Sequence, residues 1–191
     1  MDGPFGVVLL AAGLSARYGD KDKLCEPLGN STVLGQAIDH AKAHGSELVV
    51  VCRPDADAVH AIVARSGARW VANPSYADGM STSIACGVSH LGANMAGIFV
   101  CLGDMPFLEP DDFADCKVHF ASWRDICRPV FHGQQGHPVL FGSQYRDELA
   151  LLSGDHGAKN IIAHYRNELR LFPTSNPGTV RDIDMPADLP H

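Results

Sequence analysis

The chain has 191 residues, 46% of them hydrophobic, and a formal net charge of −7 at pH 7. That length and apolar share suit a single domain spanning 1–191 with a packed core. The acidic balance, with no basic stripe anywhere, excludes a nucleic-acid partner.

An acidic chain that binds a polyphosphate must gather its cations in one place or use a divalent metal. The six cysteines (Cys25, Cys52, Cys86, Cys101, Cys116, Cys127) contain no C-x-x-C pair, which argues against zinc or a dithiol redox site. Cys52 and Cys101 sit in apolar runs and read as small core residues. Neither a leader pattern nor a membrane-length apolar stretch is visible, so a reduced, cytoplasmic protein with no membrane partner is expected.

The first element is the apolar strand at 5–10. It runs into Ala11-Ala12-Gly13-Leu14-Ser15-Ala16-Arg17-Tyr18-Gly19, with Lys21 and Lys23 following. Small residues let backbone N–H groups approach an anion, and Arg17 and Lys23 can neutralise it, so the segment predicts a nucleotide triphosphate at the strand edge. A Walker A loop is excluded, because five residues separate Gly13 from Gly19 and Asp20 follows. The dinucleotide fingerprint is excluded too, because Ala12 and Ser15 stand where it needs glycine.

Further strands are expected at 48–52, 69–71, 97–102 and 126–130, with helices at 33–44, 55–66, 81–91 and 111–122. Val49-Val50-Val51 and Ile98-Phe99-Val100 are apolar on consecutive residues, the mark of a parallel sheet covered on both faces by helices. Within 78–84, Ser81 is a plausible N-cap, and the loop hydroxyls Ser81 and Ser83 are also placed to contact a base or phosphate.

Leu102-Gly103-Asp104-Met105-Pro106 puts Asp104 at the carboxyl end of a central strand, where a carboxylate suits Mg²⁺, a hard cation that keeps substrate phosphates and waters as ligands. Beyond Pro129, the residues 129–131, a turn at 133–136 and 138–141 predict a hairpin inserted in the fold. His137 lies on a constrained Gly-His-Pro turn, and Gly154-Asp155-His156-Gly157-Ala158-Lys159 breaks the chain between helices at 144–151 and 158–165. The end, 180–189, reads as a last short strand in which Asp182 and Asp184 project on one face, so that either can complete a metal site with Asp104.

Taken in order, LAAGLSARYG at 10–19, Lys23-Leu24 with Pro27-Leu28, GMSTSIACG at 79–87, LGDMP at 102–106, GHPVLF at 136–141, LSGDHGAK at 152–159 and DIDMPADL at 182–189 resemble the molybdenum cofactor nucleotidyltransferase family. Ala12-Gly13, where guanylyl-transferring relatives carry Gly-Gly, is similar to the cytidylyl branch. The resemblance implies a three-layer α/β fold of the Rossmann-like nucleotidyltransferase kind and a Mg²⁺-dependent transfer of CMP from CTP to a molybdopterin-type acceptor.

Carried across, Leu10, Ala11, Ala12, Gly13, Arg17, Lys23, Ser81 and Ser83 would hold the nucleotide. Arg17, Lys23 and Asp104 would serve catalysis, and Asp104 with Asp182 would bind the metal. Gly136, His137, Pro138, Asp155 and Lys159 would face the acceptor. A molybdoenzyme or its chaperone is the implied transient partner. Cys25-Glu26, Tyr18 and Leu14 depart from the family pattern. A sugar-phosphate acceptor, or a non-catalytic cofactor-delivery role, stands as the alternative.

Overall fold

A computed structural model describes residues 3–14, 18 and 22–190. In chain order the elements are β1 (Phe5–Ala11), β2 (Pro27–Leu28), β3 (Ser31–Thr32), α1 (Val33–Lys42), β4 (Glu47–Cys52), α2 (Asp57–Ser66), β5 (Arg69–Ala72), α3 (Met80–Ser89), β6 (Gly97–Leu102), α4 (Pro110–Val118), β7 (Ile126–Phe131), β8 (Gln134–Gln135), β9 (Val139–Gly142), α5 (Arg146–Ala150), α6 (Lys159–His164) and β10 (Leu169–Pro173).

One mixed sheet runs β10-β7-β9-β6-β1-β4-β5, with β8 paired to β7. β1 is parallel to β4 and β6, β4 to β5 and β10 to β7. β9 is antiparallel to both β6 and β7. The expected α/β fold, mostly parallel and flanked by helices, is therefore present. Val7 and Leu9 of β1 pack into the cluster under α1, α2 and α4. Val8 and Leu10 pack into the opposite one under α3 and α5. Burial on both faces is why the strand is apolar at every position.

Helix ends follow local chemistry. Thr32 caps α1 through its Oγ1, which accepts from the Gly35 N–H at 3.1 Å. Glu109 and Asp112 form a capping box ahead of α4, with Pro110 in its first turn.

Three expectations need correction. The 180–189 segment is not a strand; 3₁₀ turns at Pro177–Val180 and Pro186–Asp188 flank an irregular stretch. Buried Ile183 anchors that stretch by donating its N–H to the Asp104 carbonyl at 2.8 Å, so a single hydrogen bond does what ladder pairing was expected to do.

The hairpin turn is also shifted. His132 (φ +47°) and Gly133 (φ +86°) make the turn, Gln134–Gln135 form β8, and β9 slides in between β7 and β6. Third, Ser81 is not the cap of α3. Gly79 takes that place at φ +114°, a conformation open to glycine. A Cβ there would sit 2.5 Å from both the Asp155 Cα and the Gly154 carbonyl oxygen.

β10 and the β2–β3 ribbon had no expectation. β10 is an edge strand with one buried side chain, Phe172, so it lacks the apolar alternation that announces a strand.

Candidate active site

The order of the strands reverses at β1: the chain goes from β1 outward to β4 and β5, then returns to place β6 on the other side. Such a switch point opens a crevice at the carboxyl ends of the strands. The Gly103 N–H donates to the Leu10 carbonyl at 2.8 Å, which ties the loop after β6 to the loop after β1.

Leu10, Ala11, Ala12, Gly13, Lys23, Ser83 and Asp104 all line one cavity of about 290 Å³, together with Leu14, Tyr76, Ala77, Met80 and Leu102. Seven of the residues expected to hold nucleotide or metal are thus brought together. Arg17 lies outside the described residues. Ser81 does not line this cavity: it is buried, and its hydroxyl donates to the Gly157 carbonyl at 3.3 Å.

The charged centre is a cluster around Lys23. Its Nζ lies 2.6 Å from Asp104 Oδ2 and 2.9 Å from Asp184 Oδ1. Ligand oxygens of Asp104, Asp182 and Asp184 all fall within 4.8 Å of one another. Both candidates for the second acid are therefore at the site, and Asp184 is the one that touches Lys23.

Burial pulls the Lys23 ammonium down, but the Asp104 and Asp184 carboxylates more than restore it, and its pKa ends raised. Asp104 is also raised, first by burial and then by Asp182, against the pull of Lys23. A carboxylate held against its own preference at neutral pH is a place where added positive charge is favoured. Three oxygen-donor carboxylates around one point are the donor set of a hard divalent cation. The residues present therefore fit such an ion.

Supports absent from the sequence reading surround the cluster. Asp22 Oδ1 accepts from the Leu24 N–H at 3.1 Å, and Asp22 Oδ2 pairs with Arg53 at 2.9 Å. Arg53 stands directly after β4, the same carboxyl-end position that made Asp104 conspicuous. Buried Asn73 donates to Thr82 and to Ser83, at 2.9 and 3.0 Å, which sets the Ser83 hydroxyl toward the cavity floor.

A second cavity adjoins the first across Met80 and Leu102, which line both. Arg128, His137, His156 and Lys159 face it over an apolar floor of Ile84, Val100, Val139, Phe141 and Ile162. Of the five expected acceptor residues, His137 and Lys159 reach it. Gly136 and Pro138 are buried beside it and shape the bend, which contains a cis His137–Pro138 bond. Asp155 is exposed and pairs with His156 at 3.6 Å.

Burial, then the Arg128 charge, push His137 down to about 4, so its imidazole is neutral at pH 7. The Gly154–Lys159 loop docks on the start of α3, where the Ser81 N–H donates to the Gly154 carbonyl at 3.0 Å. The floor of the first cavity and the rim of the second are one hydrogen-bonded unit. A larger groove, about 700 Å³, lies along β7 and β10. Among the described residues His132 is its one ionisable lining residue, so they offer a polyphosphate no fixed cation there.

A sequence profile of the MobA-like NTP transferase domain matches residues 7–169. The chain belongs to that family. The chain is similar to the molybdenum cofactor cytidylyltransferase of Escherichia coli K12, at 28% identity over 95% of this chain and 91% of that one. It is also similar to the nicotine blue oxidoreductase of Paenarthrobacter nicotinovorans, at 27% identity over 93% and 90%. The crystal structure of Rv0371c from Mycobacterium tuberculosis H37Rv matches with a TM-score of 0.83 at 27% identity, over 98% and 96% of the two chains. The same protein has been solved in complex with manganese. Among the described residues no helix is long and apolar enough to cross a membrane.

Proposed function

We propose that this protein, acting as one NTP transferase domain, transfers CMP from CTP to a molybdopterin-type acceptor and releases pyrophosphate. The observation that carries the reading is the Asp104–Lys23–Asp184 cluster beside the small-residue edge of β1. The acceptor's phosphate oxygen attacks the α-phosphorus of the nucleotide. A new P–O bond forms there, the bond from the α-phosphorus to the bridging oxygen breaks, and pyrophosphate leaves with that electron pair. The attacking phosphate is already ionised, so no general base is needed.

Leu10 to Gly13 and Ser83 form the nucleotide cradle. Lys23, joined by Arg17 six residues earlier in the sequence, neutralises the triphosphate and the departing pyrophosphate. Asp104, with Asp182 and Asp184, would hold Mg²⁺, which when bound supplies positive charge to the phosphates. His137 and Lys159 meet the acceptor in the second cavity. Positioning two anions against each other is most of the catalytic task.

Similarity to a protein named as an oxidoreductase marks a second chemistry on this fold. The acidic cluster bridged by Lys23 favours nucleotidyl transfer, because hydride transfer has no use for it. Pyrophosphate release, measured with Mg²⁺ and each NTP in turn, with and without molybdenum–molybdopterin, tests the reading. Release with CTP alone and only with the pterin is expected. Release with GTP would overturn the cytidylyl assignment, and release with a sugar phosphate instead would overturn the acceptor. Binding of CTP without any release would overturn catalysis.

A further inference from the structure

Arg128 interrupts an otherwise apolar strand, Ile126–Phe131, which lies between β10 and β9 in the sheet. Its Nε–H donates to the Gly136 carbonyl at 2.7 Å. The two terminal nitrogens make long bonds to Gln135, at 3.2 and 3.4 Å. A guanidinium carries five N–H donors, so two remain unspent among the described residues. Among the described residues no carboxylate pairs with it. A partly desolvated guanidinium without a counter-ion is costly to keep, and nothing in the hairpin requires a charge there, since a neutral donor would serve the Gly136 and Gln135 carbonyls.

Arg128 faces the second cavity, with Lys159 and His156 across the rim and neutral His137 beside it. That cavity measures about 90 Å³, room for a phosphate-sized group at about 30 Å³ per displaced water, with the apolar floor left for whatever the phosphate is attached to. Register places the guanidinium toward the reacting end. Val100 pairs with Val139 and Cys127 with Leu140, so Arg128 lies roughly level with Val100, about 10 Å away across two strand spacings. Val100 is two residues before Leu102, the wall shared with the nucleotide cavity.

We propose that Arg128 is the anion anchor of the second-substrate cavity: it binds the phosphomonoester of the acceptor and holds it against the shared wall, facing the nucleotide. This rests on the nucleotidyl-transfer reading for its purpose, though not for its test. Two anions must meet for transfer to occur, and a cation on the acceptor side offsets their repulsion while Lys23 serves the nucleotide side.

Phenyl phosphate, a phosphomonoester on a flat apolar body, is the probe, with phenol as the control lacking the anion. Binding to the full chain is followed by NMR of isotope-labelled protein, with Arg128→Gln, Arg128→Lys and Lys159→Gln beside it. Wild type is expected to bind phenyl phosphate with shifts at Ile84, Val139 and Ile162, and not to bind phenol. Arg128→Gln should weaken that binding at least tenfold, Arg128→Lys should recover part of it, and binding of CTP with Mg²⁺ should change less than twofold.

Equal affinity in wild type and Arg128→Gln, or shifts confined to the neighbourhood of Lys23, would overturn the proposal. So would loss in Lys159→Gln alone. A drop in the unfolding midpoint shared by Arg128→Gln and Arg128→Lys, with both losing CTP, would mark Arg128 as a brace of the hairpin and also overturn it. Failure of nucleotidyl transfer itself reads out separately, as absent pyrophosphate release in wild type.

Discussion

Replacing Lys23 with methionine isolates the charge at the centre of the site. Methionine keeps most of the buried stem and removes the ammonium that lies 2.6 Å from Asp104 and 2.9 Å from Asp184. What remains is three carboxylates with oxygens within 4.8 Å. At an effective dielectric constant of about 20, each such pair repels by roughly 3 kcal/mol. Asp182 is exposed and the Asp184 side chain is 36% exposed, so solvent screening removes more than half of their share. Asp104, 20% exposed, keeps most of its loss.

The net expectation is about 2 kcal/mol of lost stability in EDTA near neutral pH, or roughly 4–8 °C in Tm for a chain this long. Two signs follow. Asp104 is already raised by burial and by Asp182, and losing Lys23 raises it further. A carboxyl whose folded-state pKa exceeds its unfolded value gains stability as pH falls, so the deficit shrinks toward ~pH 5. Mg²⁺ should stabilise the variant more than wild type, because it meets one more uncompensated charge. Urea unfolding in EDTA, in Mg²⁺ and at both pH values is the assay. A variant as stable as wild type in EDTA, with no added response to Mg²⁺ or acid, would refute the argument.

Asp104→Asn removes a carboxylate that burial disfavours, so the unfolding midpoint should stay within about 1 kcal/mol of wild type while pyrophosphate release falls at least a hundredfold; normal turnover would sink the assignment of Asp104. Gly79→Ala adds a Cβ at φ +114° and 2.5 Å from backbone atoms of 154–155, so it should cost about 2–4 kcal/mol in urea unfolding and loosen the 154–159 loop to protease. His137 binds its proton in the unfolded chain near 6.5 but at about 4 when folded. It therefore contributes full stability above pH 6.5 and loses it as pH falls from there toward 4, by a ceiling of about 3 kcal/mol. His137→Gln should flatten that part of the acid limb in a pH series of unfolding curves, and an unchanged slope would contradict the neutral, partly desolvated imidazole.

The amino-acid sequence by itself determined the elements whose signal is local. Unbroken apolar runs at β1, β4 and β6 require cover on both faces, which dictates a parallel sheet between helices. A Gly-Asp-Met-Pro break after such a run puts Asp104 at the open edge, and small residues after β1 put the proposed nucleotide cradle there. What depended on long-range pairing was not legible. β10 became a strand because β7 offers it a free edge, not through its own pattern. Asp182 and Asp184 reached Asp104 through one backbone hydrogen bond from Ile183 rather than through a strand. Ser81 read as an N-cap or a nucleotide-contacting hydroxyl, but Gly79 takes the cap and the Ser81 hydroxyl is spent on the Gly157 carbonyl.

Arg53 and Lys23 acquired their places only when distant segments came together, since their partners Asp22 and Asp184 lie 31 and 161 residues away and leave no trace in their immediate neighbours. Period and turn chemistry act over a few residues and can be read from the chain. Charge pairing, cavity walls and desolvation are properties of atoms in contact, and the tertiary structure alone decides which atoms those are.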